Sequence, residues 1–342
     1  MVVFTPCANT HTAFGLCISS DLALPELAVY LKADAAVIQV SITASTREHW
    51  PELSASEHST ANVQMAPNDW RLELEGIGWF RVHQGCFICW QRWDDSVSDR
   101  DLRTFLVSTA LGALMIQRGS LMLQGTALIR DGKAVVLLGA PASGKSTLAW
   151  CLHQQGWQLL SSELTLIDPQ GMVWPGMQQL KLWHDAVIEL ELDWQQMPFV
   201  RKGLRRYAVM PTHLSTSNQP TPLAVIYGLT RRNKEGDTDE APISALPIVS
   251  QQVALLQLRN QAFQPRFYRG MGQEQQLFLH AAALVHRVGL HRLELPDEIK
   301  RVQKALTDVN LLDPTSLAPK QSQAESMQEV ESPREGPPKE LQ

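Results

Sequence analysis

The spacing of hydrophobic positions changes twice along the chain. Over the first hundred residues, short alternating or β-branched runs such as Ala36 to Thr43 and Arg71 to Leu74 are separated by Pro, Asn, Gly and Ser, which predicts a small sheet-rich module. From Asp101 the apolar residues Leu102, Phe105, Leu106, Ala110, Ala113 and Leu114 fall at helical spacing, with Gly119 placed to end the helix. From Ser120 strand, turn and helix alternate. Leu121 to Ile129 reads as a strand, Arg130-Asp131-Gly132 as a turn, and Ala134 to Leu138 as a fully apolar strand; a helix follows from Lys145 to about Gln155, with Gly156 at its end. That alternation predicts an α/β fold. Leu277, Ala281, Leu284 and Val285 predict a further helical face within Leu277 to Leu293, a stretch that also carries His280, His286 and His291.

These patterns divide the chain into a sheet-rich N-terminal module (1–100), an α/β domain (101–313) and a tail (314–342). The tail holds five prolines and no aromatic residue, so it offers too little apolar area to offset its ordering entropy and is expected to be disordered. The longest nearly apolar run, Phe105 to Ile116, is broken by Ser108 and Thr109 and falls short of the roughly 20 residues that span a bilayer. It reads as a buried helix, and no membrane association is expected.

Composition narrows the function classes. With 44% hydrophobic and 19% charged residues the chain is an ordinary globular protein. A net charge of -5 provides no global basic field to recruit nucleic acid or anionic lipid, so any anion site must be local. Five cysteines, an odd number, and an N-terminus without a secretory pattern point to the cytoplasm. Cys86 and Cys89 form a C-x-x-C, but Phe87 and Ile88 between them are apolar and β-prone and no second pair completes a zinc tetrahedron; a strand is the expected reading.

One stretch carries sharp chemistry: Gly139-Ala140-Pro141-Ala142-Ser143-Gly144-Lys145-Ser146, followed by Thr147. In such a G-x-x-x-x-G-K-[ST] loop the glycines allow a tight wrap, backbone N–H groups point at phosphates, the lysine reaches the β and γ oxygens, and the hydroxyl of Ser146 ligates Mg²⁺. An apolar strand before it and a helix after it supply the expected setting, so Mg-ATP is the cofactor the loop implies. Phosphoryl transfer also needs an acid on the metal side. Glu163, at the end of the run Gln158 to Ser162, is the preferred candidate; Asp168 is the rival, although Asp168-Pro169-Gln170-Gly171 also reads as a plain turn.

The order Leu123-Gln124-Gly125-Thr126-Ala127, the phosphate loop, and Gly156-Trp157-Gln158-Leu159-Leu160-Ser161-Ser162-Glu163 resembles the kinase core of the HPr kinase/phosphorylase superfamily. The segment Phe14-Gly15-Leu16 through Leu24-Pro25-Glu26-Leu27 and the stretch Pro175 to Trp183 are most similar to the HPr-kinase-like proteins of peptide-modification clusters, including those of lasso peptides. The resemblance implies a P-loop kinase domain preceded by a small sheet module, with Lys145 and Glu163 in catalysis, Ser146 and Glu163 on Mg²⁺, and a hydroxyl of a peptide or protein as acceptor. It extends to homo-oligomers, which true HPr kinases form.

Two positions depart from the family pattern. Gln124 stands where a histidine is usual, and Ser162 where the family has the carboxylate that takes the acceptor's proton. An alcohol cannot serve as a general base near neutral pH. A nucleotide-binding accessory protein that has lost transfer chemistry is therefore the alternative: on that reading Ser162→Asp is expected to restore the missing base, whereas if Glu163 already does the essential work it is expected to change little. The basic cluster Arg201, Lys202, Arg205 and Arg206 reads equally as a phosphate contact or as a solvated loop, and His184 as a structural residue.

Overall fold

Alternation in the first hundred residues produces an eight-stranded mixed sheet in the computed structural model, which describes residues 9–29, 38–212, 218–231 and 243–317. Its strands are β1 (Asn9–Ala13), β2 (Leu16–Ser20), β3 (Ala28–Val29), β4 (Val40–Ala44), β5 (Val63–Ala66), β6 (Asp69–Leu74), β7 (Gly78–His83) and β8 (Phe87–Arg92), in the order β3-β1-β2-β4-β8-β7-β6-β5. Period-two burial is plain in β7, where Gly78, Phe80 and Val82 are buried and the residues between them are half-exposed. Cys89 lies within β8 and Cys86 in the turn before it; burial pushes both thiols above their ordinary range, which disfavours the thiolate a redox or metal role needs.

The helix expected from Asp101 begins two residues earlier, because Ser98 is its cap: the Ser98 hydroxyl accepts from the Asp101 amide at 3.2 Å and donates to the Asp101 carboxylate at 2.7 Å. It runs as α1 (Asp99–Phe105), a π-helical segment Leu106–Ala110 and α2 (Leu111–Gln117), and ends at Gly119 with φ +75°. Its apolar face packs on the sheet and on the later helices. A Cβ on Gly112 would stand 2.4 Å from the Phe263 ring, so glycine sets that approach.

The α/β part comprises β9 (Met122–Leu123), β10 (Gly125–Arg130), β11 (Lys133–Leu138), α3 (Lys145–Gln154), β12 (Gln158–Ser161), β13 (Thr165–Ile167), β14 (Met172–Trp174), β15 (Leu180–Trp183), α4 (His184–Glu189), β16 (Arg206–Val209), β17 (Thr221–Arg231), β18 (Ser244–Pro247), α5 (Gln251–Asn260), α6 (Pro265–Gly270), α7 (Glu274–Arg287), β19 (Leu290–Leu295) and α8 (Ile299–Ala305). The main sheet runs β12-β10-β11-β17-β14-β13-β9, with β19 on the far half of β17. The continuous apolar run of β11 is explained by burial on both faces: Val135 and Leu137 join one core with Leu148 and Leu152 of α3, while Val136 and Leu138 join the other.

That second core is continuous with the N-terminal sheet, gathering Trp70, Phe80 and Ile88 with Leu111, Phe263 and Phe267; Trp70 and Phe267 lie 5.3 Å apart between ring centres. Three sequence expectations change. The strand expected over Leu121 to Ile129 is two strands broken at Gln124, because β9 pairs with β13 whereas β10 pairs with β11 and β12. His291 lies on β19, since α7 stops at Arg287. The expected tail begins with structure: Pro314–Leu317 forms a 3₁₀ turn and Leu317 is buried in the core beside α8, while residues 318–342 lie outside the described residues.

Candidate functional site

Strand direction gathers the site. β11 and β17 are parallel, and β12 runs with them because it is antiparallel to β10, itself antiparallel to β11. The carboxyl ends of all three strands therefore open on one edge, the usual ligand side of such sheets. Glu163 follows β12, the Gly139–Ser146 loop follows β11, and Arg231 ends β17.

The loop turns through left-handed residues, Ala142 at φ +63° and Gly144 at φ +94°, and α3 begins at Lys145. A Cβ on Gly139 would lie 2.5 Å from the Ser143 hydroxyl, so a side chain there would break the wrap. The Lys145 ammonium folds back over the loop and donates to the carbonyls of Gly139 at 2.7 Å and Ala140 at 2.8 Å. Burial, aided by the Arg206 charge, pulls Lys145 down to about 8 against the opposing pull of Glu163. Pro141, Ala142, Ser143, Gly144, Lys145, Ser146 and Thr147 all line one cavity of about 890 Å³, together with Glu163, Gln124 and Arg231. Gly139 and Ala140 shape it from behind through the carbonyls that hold Lys145.

Glu163 sits at φ +61°, a costly conformation for a residue with a Cβ. Its carboxylate is clamped: Lys181 Nζ donates to Oε2 at 2.6 Å, and Arg206 Nη1 lies 3.3 Å from Oε1. Both cations come from the antiparallel β15–β16 pair, in which Lys181 pairs with Ala208 and Trp183 with Arg206. The Lys181 side chain is 3% exposed and that of Glu163 23%. Arg206 also stacks over the exposed Trp183 ring, 5.5 Å from its centre.

Other candidates separate clearly. Ser162 is buried, and its hydroxyl donates to the Gln179 carbonyl at 2.5 Å, so it does not line the cavity. Asp168 builds a turn: its carboxylate accepts from the amides of Gln170 and Met172 and from the Trp174 indole at 2.9 Å. His184 borders the cavity but shares a 3.2 Å hydrogen bond with the Tyr207 hydroxyl and packs edge-on against Trp194. Of the basic cluster, Arg205 and Arg206 reach the cavity; the Lys202 amide instead donates to Asp101, and Arg201 stacks over Phe105. Sequence reasoning missed Lys181 and Arg231 as site residues. The alternation Leu180-Lys181-Leu182 did signal the first, since both leucines enter the core beside α3 and the lysine must face the other way.

The two family-like stretches outside the loop meet one another. The Phe14 amide donates to the Pro175 carbonyl at 2.6 Å, and the Gln178 amide to the Glu26 carbonyl at 3.1 Å. A Cβ on Gly176 would stand 2.4 Å from the Phe14 ring. Among the described residues no helix is long and apolar enough to cross a membrane.

No protein-family profile matches the sequence, and no curated protein matches it. Among solved structures, the chain is similar to the HPr(Ser) kinase/phosphatase from Coxiella burnetii at 12% identity, covering 54% of this chain and 93% of that one with a TM-score of 0.27.

Proposed function

We propose that the protein binds a Mg-nucleotide in the Gly139–Ser146 loop and transfers its terminal phosphoryl group to a hydroxyl of a peptide or protein. The observation that carries this reading is convergence: the loop, Lys145 and Glu163 share one cavity at the carboxyl edge of the sheet. The residues fit Mg²⁺ as a hard ion held by oxygen. Ser146 and Glu163 supply a hydroxyl and a carboxylate to the same cavity, and each carboxylate oxygen keeps acceptor capacity beyond its present cation. The bound ion would neutralise charge on the phosphates. Lys145 turns from the loop carbonyls to the terminal phosphates, and Arg206 stands ready for the transferring group.

The alternative, a nucleotide-binding accessory protein without transfer activity, is favoured by one feature. Ser162 is tied to a carbonyl and Glu163 to two cations, so neither is placed as a free base. Calorimetry with Mg-ATP tests binding; absence of heat with wild type would remove both readings. Transfer of labelled γ-phosphate to serine-containing peptides decides between them, with turnover expected for the kinase and none for the accessory protein.

A further inference from the structure

The Arg231 guanidinium approaches the phosphate loop from the flank opposite Glu163. The sheet order β12-β10-β11-β17 puts Glu163 two strands to one side of the loop strand and Arg231 one strand to the other. The Arg231 Nη2 lies 3.2 Å from the point a Cβ on Gly144 would occupy, a tight approach that places the guanidinium against the loop backbone at the start of α3. Its other end is anchored: Nη1 donates to the Asp297 carbonyl at 2.8 Å and lies 3.4 Å from the Asp297 carboxylate. Asp297 leads into α8, whose first residue, Ile299, lines the same cavity.

We infer that Arg231 grips the nucleoside end of the bound nucleotide, contacting the α-phosphate, and that the nucleotide crosses the loop with its terminal phosphate toward Glu163 and its base toward Asp297 and Ile299. This rests on the nucleotide-binding reading. The direction follows from placement: Lys145, which serves the terminal phosphates, shares its cavity with the Glu163–Arg206 pair on one side, leaving Arg231 as the cation that lines the cavity from the other flank of the loop among the described residues. Arginine suits the task because its planar fork can keep the Asp297 anchor while presenting further N–H groups to a phosphate oxygen. A ligand without an α-phosphate, such as pyrophosphate seated on Lys145, does not extend that far.

Calorimetric titration of wild type, Arg231→Ala, Arg231→Lys and Lys145→Ala with Mg-ATP, Mg-ADP and Mg-pyrophosphate tests the assignment. Arg231→Ala is expected to weaken ATP and ADP alike by about tenfold, the scale of one charge-assisted hydrogen bond, and to leave pyrophosphate within about twofold. Arg231→Lys should recover part of the loss, and unchanged melting temperatures of the free variants would show that the fold is intact. Lys145→Ala should weaken pyrophosphate as strongly as ATP. Unchanged ADP affinity in Arg231→Ala, or an equal loss for pyrophosphate, would overturn the assignment while leaving nucleotide binding standing. Absence of binding by wild type would instead overturn nucleotide binding itself.

Discussion

Removing the carboxylate of Glu163 should damage the protein more than removing the lysine that holds it. The asymmetry is in the burial. With Lys181 only 3% exposed and Glu163 23% exposed, Glu163→Gln leaves an ammonium enclosed without its counter-charge, and breaking a buried pair in this sense costs about 3–5 kcal/mol. Lys181→Met leaves a carboxylate that keeps Arg206 at 3.3 Å and reaches solvent, while the methionine fills the vacated channel; the expected loss is on the order of 1 kcal/mol. For a domain of this size the larger loss lowers the melting temperature by roughly 10 °C and the smaller by a few degrees. The double variant should return to within about 1 kcal/mol of Lys181→Met, because the enclosed charge is gone. Denaturant unfolding of the three variants decides it. A Lys181→Met variant as unstable as Glu163→Gln, or a double variant whose losses add, would refute the reasoning. The result also governs how activity data are read, since lost turnover in Glu163→Gln reports a catalytic role only where the variant is shown to be folded.

Three further outcomes are expected. Burial pulls Lys145 down to about 8 in the free protein; if it pairs with phosphate as proposed, nucleotide affinity should fall as pH rises through 8, with a proton taken up on binding above it, which calorimetry in buffers of different ionisation enthalpy reads and Lys145→Met should abolish. The same lowered pKa means the unfolded chain holds this proton better between about 8 and 10.5, so Lys145 contributes to stability of the free protein in the direction of rising pH there. Ser162→Asp should not restore a base: it sets a carboxylate against the Gln179 carbonyl at a position 1% exposed, with an expected cost of roughly 3 kcal/mol and no rise in phosphoryl transfer. Ending the chain after Asp313 should lower the melting temperature by several degrees through loss of about 2 kcal/mol of Leu317 burial, whereas a chain ending at Leu317 should match the full chain; equal melting temperatures for both would show the 3₁₀ turn to be energetically idle.

The strand–loop–helix setting of Gly139 to Ser146 was legible because its pattern is local: glycines, one lysine and its neighbouring hydroxyl lie within eight consecutive residues, between a strand and a helix of unmistakable pattern. Glu163 was legible as the polar end of a buried strand. Its clamp was not, because Lys181 and Arg206 arrive from two strands that pair across an intervening helix, a pairing set by tertiary packing. Arg231 was invisible for a similar reason, since only the parallel register of β17 on β11 brings it to the loop. The break at Gln124 also escaped, because apolar residues flank it on both sides and a single Gln-Gly-Thr step within such a run does not show that the chain leaves one set of partners for another. Ser162 misled in a different way: adjacency to Glu163 suggested a shared site, whereas the left-handed turn at Glu163 sends the two side chains to different partners.

The long strand β17 has a consequence for how the protein is made. Its first residues, Thr221 and Pro222, pair with β14, and its remainder with β11 and β19, so Tyr227 touches both Leu137 and His291. A ribosome delivers β11 and the Gly139–Ser146 loop long before it delivers these neighbours. At about 5–20 residues per second, β11 emerges with one edge unpaired and waits several seconds for β17, exposing a six-residue, almost wholly apolar strand to whatever is nearby, and the far edge of β17 then waits several seconds more for β19. Production at lowered temperature or with chaperone co-expression is therefore expected to raise the yield of folded protein.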